Sequence, residues 1–133
     1  MPEPLLSLKL IIRTSLKHRS RKKLHVFIWK NVTDLRAAAK QRAGYGGWGD
    51  CAGCYLAVRA KLQFGEIHLW SKLMGAGFWA HEMQHFMNDY SEETEHYPLD
   101  PKANERMAFL AGDLTAQFWV KFYERFDVKD AGG

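Results

Sequence analysis

Phe78-Trp79-Ala80-His81-Glu82-Met83-Gln84-His85-Phe86-Met87-Asn88-Asp89-Tyr90 is the stretch on which the reading of this chain turns. Its apolar residues follow no strand alternation, and Gly75-Ala76-Gly77 marks the start of an element, so the segment predicts a helix. Inside it, His81-Glu82-Met83-Gln84-His85 spells H-E-x-x-H. On a helix, residues 81 and 85 lie on one face, one turn apart. That spacing lets two neutral imidazoles meet one Zn²⁺. Glu82 stands about 100° further round the helix, where it can act on a water without being a ligand itself. Two ligands and an adjacent general base are the minimum equipment of a zinc hydrolase.

An open catalytic zinc site usually takes a third protein ligand. Glu105 is the best candidate, with Asp113 or His96 next. It follows His85 with nineteen residues between them and opens a second apolar-periodic segment, Ala103 to Phe126. Pro98 and Pro101 break the chain just before it. Glu105, Ala108 and Gly112 would share one stripe, and the small residues would let this helix come close to the first. Met107, Leu110, Leu114, Phe118, Val120, Phe122 and Phe126 read as its core face.

The combination of H-E-x-x-H, a nineteen-residue interval and Asn104-Glu105 resembles the gluzincin metallopeptidases. The resemblance implies His81, His85 and Glu105 as zinc ligands and Glu82 as the base. It further implies Asp89 as a group that accepts the far N–H of His85. Gly65-Glu66-Ile67-His68-Leu69-Trp70, followed by Phe78-Trp79-Ala80-His81-Glu82, is similar to the small single-domain members. These include phage-encoded and phage-repressor-cleaving metallopeptidases, in which an edge strand before the motif helix walls the cleft. The likeness spans roughly residues 64–115. There are departures. The family places an aspartate four residues after the ligand glutamate, and Phe109 stands here. The family's oxyanion stabiliser comes from a large C-terminal domain, whereas twenty-eight residues follow Glu105 here, so that group is expected from elsewhere in the sequence. The available groups for that role are His96, Tyr97, Tyr90 and Tyr123, with His96 and Tyr97 foremost because their loop joins the two ligand helices.

The rest of the chain sets the frame. At 133 residues it reads as a single domain, and a hydrophobic content of 47% is enough to build a core. No run is long enough to span a bilayer and no signal-peptide pattern precedes the first strand, so the expected setting is cytoplasmic, with no membrane partner. The net charge of +4 conceals an asymmetry: residues 1–66 carry thirteen Lys/Arg against four Asp/Glu, and residues 67–133 carry six against eleven. The basic run Lys17-His18-Arg19-Ser20-Arg21-Lys22-Lys23 reads as a solvated turn between two strands. A nucleic-acid partner is the alternative reading. Cys51 and Cys54 form a C-x-x-C without a second pair, so a structural zinc site is incomplete, and the residues after Cys54 read as a strand where a thioredoxin-like motif needs a helix.

Leu6 to Ile12 and His25 to Lys30 predict strands flanking the basic run. Thr33 is placed as the N-cap of a helix over Leu35 to Arg42, with Asp34 favourable to its dipole. Gly44 to Gly53 is a loop that matches no phosphate-binding pattern. Cys54 to Leu62 and Gly65 to Trp70 predict two more strands, with His68 as a surface or partner-bonded histidine. Ser91 to His96 is read as an acidic loop before the last helix. The order ββαββαα predicts an α+β fold: a small, four-stranded, mainly antiparallel sheet with helices packed to one side, of zincin-like type. The expected activity is a zinc-dependent peptidase in which Glu82 activates a zinc-bound water against a peptide or protein substrate. The alternatives are a non-catalytic zinc-binding interaction domain and a basic, nucleic-acid-associated, phage-type factor.

Overall fold

The computed structural model describes residues 2–44 and 51–125. Two strands, β1 (Leu6–Arg13) and β2 (Arg19–Trp29), are followed by helix α1 (Val32–Ala43). Then come β3 (Gly53–Leu56) and β4 (Gln63–Trp70), a single 3₁₀ turn, and the helices α2 (Ala76–Glu93) and α3 (Pro101–Arg125). The fold is α+β, with one mixed sheet in the order β1-β2-β4-β3. β1 with β2 and β3 with β4 are antiparallel, and β2 with β4 is the one parallel pair. The parallel pair follows from β3, which starts level with the end of β2 after α1 and runs back, so that β4 begins at the end where β2 begins.

Alternation divides the sheet into two faces. Leu8, Leu10, Ile12, Leu24, Val26, Ile28, Ile67 and Leu69 point to one side and pack against Trp79, Met83 and Phe86 of α2 and Leu110, Leu114 and Phe118 of α3. Trp29, Cys54 and Leu56 point to the other, where Leu35, Ala38 and Ala39 of α1 cover them. The expectation that all helices lie on one side is therefore corrected: α1 backs the sheet and α2 and α3 front it. The small residues Ala38 and Ala39 let α1 lie close to the strands.

Several boundaries move for local reasons. Only Thr14 to His18 turn between the first two strands, so Arg19 to Lys23 belong to β2. The helix after it begins at Val32 with Asn31 as N-cap, two residues before Thr33. It ends at Gly44, whose φ of 76° is left-handed and suits glycine. The strand expected over Cys54 to Leu62 stops at Leu56. α2 continues through Glu93, so half of the expected acidic loop is helical. On α3, Leu110, Leu114, Phe118 and Phe122 are buried as expected, but Val120 is exposed. Phe126 lies outside the described residues.

The strand taken for the edge, Gly65 to Trp70, is central. Phe64 to Leu69 are buried on both faces, and the true edges are β1 and β3. Glu66 and His68 look like solvent-facing polar residues in sequence, yet both have no exposed surface. They lie under α1 in a closed hydrogen-bond set. Trp29 Nε1–H donates to His68 Nδ1 at 2.9 Å. His68 Nδ1 is thus the acceptor, and its Nε2–H faces Glu66 Oε1 at 3.0 Å. Arg42 grips the same carboxylate through Nε and Nη2, and Gln63 adds a bond at 2.9 Å.

This set makes stability acid-sensitive. Burial pushes the Glu66 carboxyl up, but hydrogen bonds from His68, Arg42 and Gln63 together outweigh burial and hold it at about 2, against 4.5 ordinarily. A carboxylate whose folded value is depressed stabilises the fold above its unfolded value and loses that contribution as pH falls toward the folded one. Asp89 and Asp113 shift in the same direction. Unfolding free energy should therefore fall by about 3 kcal/mol from Glu66 alone between about pH 5 and pH 2. Urea titrations across that range check it.

Candidate metal centre

α2 buries Trp79, Met83, Phe86 and Tyr90, one stripe at helical spacing, and Glu82 sits on the edge of that stripe. The residue before it, His81, turns outward and is exposed, as is His85. The two imidazoles lie edge to face with ring centroids 5.0 Å apart, and His81 Nε2 is 3.8 Å from Glu82 Oε1. His81, Glu82, His85 and Asp89 line a cavity of about 700 Å³, whose opposite wall is Gly53 to Val58 and Arg42. β3 thus supplies the edge strand beside the motif, the part that the sequence reading gave to residues 65–70. Gly53 keeps this wall close: a Cβ there would lie 3.6 Å from Glu82 Oε1 and 3.3 Å from the His68 carbonyl.

Glu82 is only 3% exposed, and among the described residues its buried Oε2 has no hydrogen-bond partner. Burial pushes its carboxyl above the ordinary range, opposed by the charge of His81. A buried carboxyl oxygen with no partner is costly and rare in folded proteins. The Glu82 side chain lines the cavity that carries two potential metal ligands.

Other expected members stand elsewhere. Glu105 is exposed in the first turns of α3. The α3 residues that meet α2 are Asn104, Met107, Ala108 and Ala111, opposite Gln84, Met87, Asn88 and Ser91, with Thr115 accepting from Trp79 Nε1 at 2.8 Å. The contact stripe therefore shares Ala108 with the expected one but runs through Asn104 and Ala111 in place of Glu105 and Gly112, and Glu105 is level with the C-terminal end of α2. Among the described residues, no group of three or more His, Cys, Asp or Glu converges where a metal could sit. Asp113 is held by Arg13, through bonds of 2.9 and 2.7 Å, and by Gln117. His96 binds Thr94 and packs on Tyr90 in the groove between the helices. Tyr97 and Tyr123 are exposed outside the cavity, and Tyr90 is buried in the core.

Asp89 lines the cavity but has other partners than His85. It accepts from Tyr55 Oη at 2.6 Å and from both Arg59 nitrogens at 2.8 and 2.9 Å. Arg59 also stacks on Phe64, 4.0 Å from the ring centre. This clamp ties the edge strand to α2 and sets the cavity's width. It requires glycine at 65, since a Cβ there would fall 2.3 Å from Tyr55 Oη and 2.7 Å from a ring carbon. Gly65→Ala should cost about 1–3 kcal/mol by overpacking, measured by denaturant titration. Arg42, Tyr55 and the β3 backbone were not singled out as site residues. Their only sequence signal is the alternation Gly53-Cys54-Tyr55-Leu56, which places Gly53 and Tyr55 on the α2 side.

The donor set fits zinc in its two imidazoles and in the unpartnered carboxyl beside them. A third ligand is not in place with α3 as it stands. No family model, no curated protein and no solved structure matches the chain. No helix among the described residues is long and apolar enough to cross a membrane.

Proposed function

We propose that the chain is a zinc-dependent peptidase of gluzincin-like type. The observation that carries this reading is the buried, unpartnered Glu82 Oε2 beside two imidazoles on one helical face, in a cavity walled by an edge strand. His81 and His85 would hold the ion, with Glu105 as the third ligand that the resemblance implies. When bound, zinc supplies Lewis acidity, which polarises a carbonyl and makes water a better nucleophile at neutral pH.

The chain's own residues do the rest. Glu82 takes a proton from the attacking water and passes it to the leaving amine, and its buried position keeps bulk water from competing for that proton. β3 offers backbone groups to an extended substrate. The opposite edge is closed to such pairing: Gln117 binds both the N–H and the carbonyl of Ile11, and Lys121 binds the Lys9 carbonyl. One covered edge and one open edge direct strand addition to the motif side.

A chelator should abolish hydrolysis of an unfolded protein substrate, and added zinc should restore it. Activity that persists through chelation would end the peptidase reading. The position of Glu105 favours one second reading, a zinc-binding interaction domain without turnover. Zinc binding with no hydrolysis across a broad peptide panel would select it.

A further inference from the structure

α1 covers the back of the sheet over β3, β4 and the Trp29 end of β2. The rest of that face belongs to β1 and β2, where Lys9 stands opposite His25 and Ile11 opposite Lys23. Lys9 and Lys23 are exposed. With His25, Arg42 and Gln63 they line a cavity of about 330 Å³. Arg19 and Arg21, also exposed, continue the positive charge along β2, and Lys61 flanks it.

None of Lys9, Arg19, Arg21 and Lys23 makes an ion pair among the described residues. The sequence from residue 4 to residue 33 contains no carboxylate at all. Two acids beside this region are engaged, Glu66 by Arg42 and Asp113 by Arg13, and the exposed Glu3 lies between Pro2 and Pro4 at the rim of the neighbouring cavity. On the far side of Arg42 the same face opens into a second cavity of about 500 Å³, walled by Phe27, Trp29, Pro4 and Ala38. Phe27 is partly exposed there and stacks on His68 at 4.9 Å.

We propose that this back face binds single-stranded nucleic acid. Backbone phosphates lie along Arg19, Arg21, Lys23 and Lys9, and an unstacked base enters the aromatic cavity beside Phe27. A cationic track that leads into an aromatic cavity is the arrangement that single strands use, since a duplex keeps its bases stacked. α2 and α3 lie on the other face of the sheet, so Lys9, Arg19, Arg21 and Lys23 stand away from His81 and His85, while Arg42 lines both this surface and the motif cavity.

Fluorescence anisotropy of the full chain with labelled oligothymidylate tests the proposal. Four phosphate contacts predict a loss of affinity of about 50-fold for a fourfold rise in salt. Lys9→Glu with Lys23→Glu should weaken binding at least about tenfold, while Lys9→Arg with Lys23→Arg retains it. Circular dichroism should be unchanged in both, because the two lysines are exposed. Phe27→Leu should weaken binding without changing the salt slope. No binding at low salt would overturn the proposal, as would equal affinity in the charge-reversed variant. So would a duplex of the same length that binds as tightly, or polyglutamate that binds to the same face in place of nucleic acid.

Discussion

Glu82→Gln is expected to reduce peptide hydrolysis by about 10²–10⁴-fold, the usual contribution of a positioned general base. It should also raise the melting temperature at neutral pH. The two effects have one origin. Glu82 is buried at 3% exposure with Oε2 unpartnered, and burial disfavours its charged form. Glutamine keeps the volume and removes the charge, so the fold gains what the chemistry loses. A group whose folded carboxyl lies above its unfolded value penalises folding once it is ionised. The gain from glutamine should therefore shrink as pH is lowered and Glu82 takes up its own proton. Thermal melts of both forms at neutral and acidic pH, beside initial rates on one peptide, separate the account from simple damage. A variant that is inactive and also less stable would mean that Glu82 serves the fold.

Glu66→Ala is expected to cost about 3–5 kcal/mol, because it leaves the buried His68 without its acceptor and takes the carboxylate from Gln63 and the partly exposed Arg42 together. The melting temperature should fall by roughly 10–20 °C. His68 Nε2–H, Gln63 and the Arg42 guanidinium would all lose their acceptor, and the first of these is fully buried. Glu66→Gln retains one acceptor oxygen and should lose distinctly less. The alanine variant should also lose much of the acid sensitivity below about pH 5, because the depressed carboxyl that produces it is gone.

The parts of this fold that were legible are those whose signal is local. The motif helix, the first hairpin and the long last helix each show their own periodicity, and the α+β class follows from their order. What was not legible depends on partners far away in sequence. Glu66 and His68 alternate with Ile67 and Leu69, which is the pattern of a strand with one wet face. Only Arg42 and Trp29, brought in by α1 and β2, reveal that this face is closed. The small residues Ala108, Ala111 and Gly112 are equally suited to two neighbouring helix phases. The stripe containing Glu105 and the stripe containing Asn104 cannot be told apart without α2 in place. Asp89 looks like a partner for His85 at four-residue spacing, yet Arg59 and Tyr55 reach it from the edge strand and take it first. The expected ligands His81 and His85, with Glu82 between them, share one cavity as helical spacing requires. Glu105, His96 and Tyr97 do not join them there.

The most direct measurement is the zinc content of the purified protein after incubation with zinc and removal of the excess. The native chain should be compared with His81→Ala, His85→Ala and Glu105→Ala. The account predicts one zinc per chain, lost in both histidine variants and weakened in Glu105→Ala. A chain that takes up no zinc, or one that keeps it with both histidines replaced, would contradict the metal centre on α2.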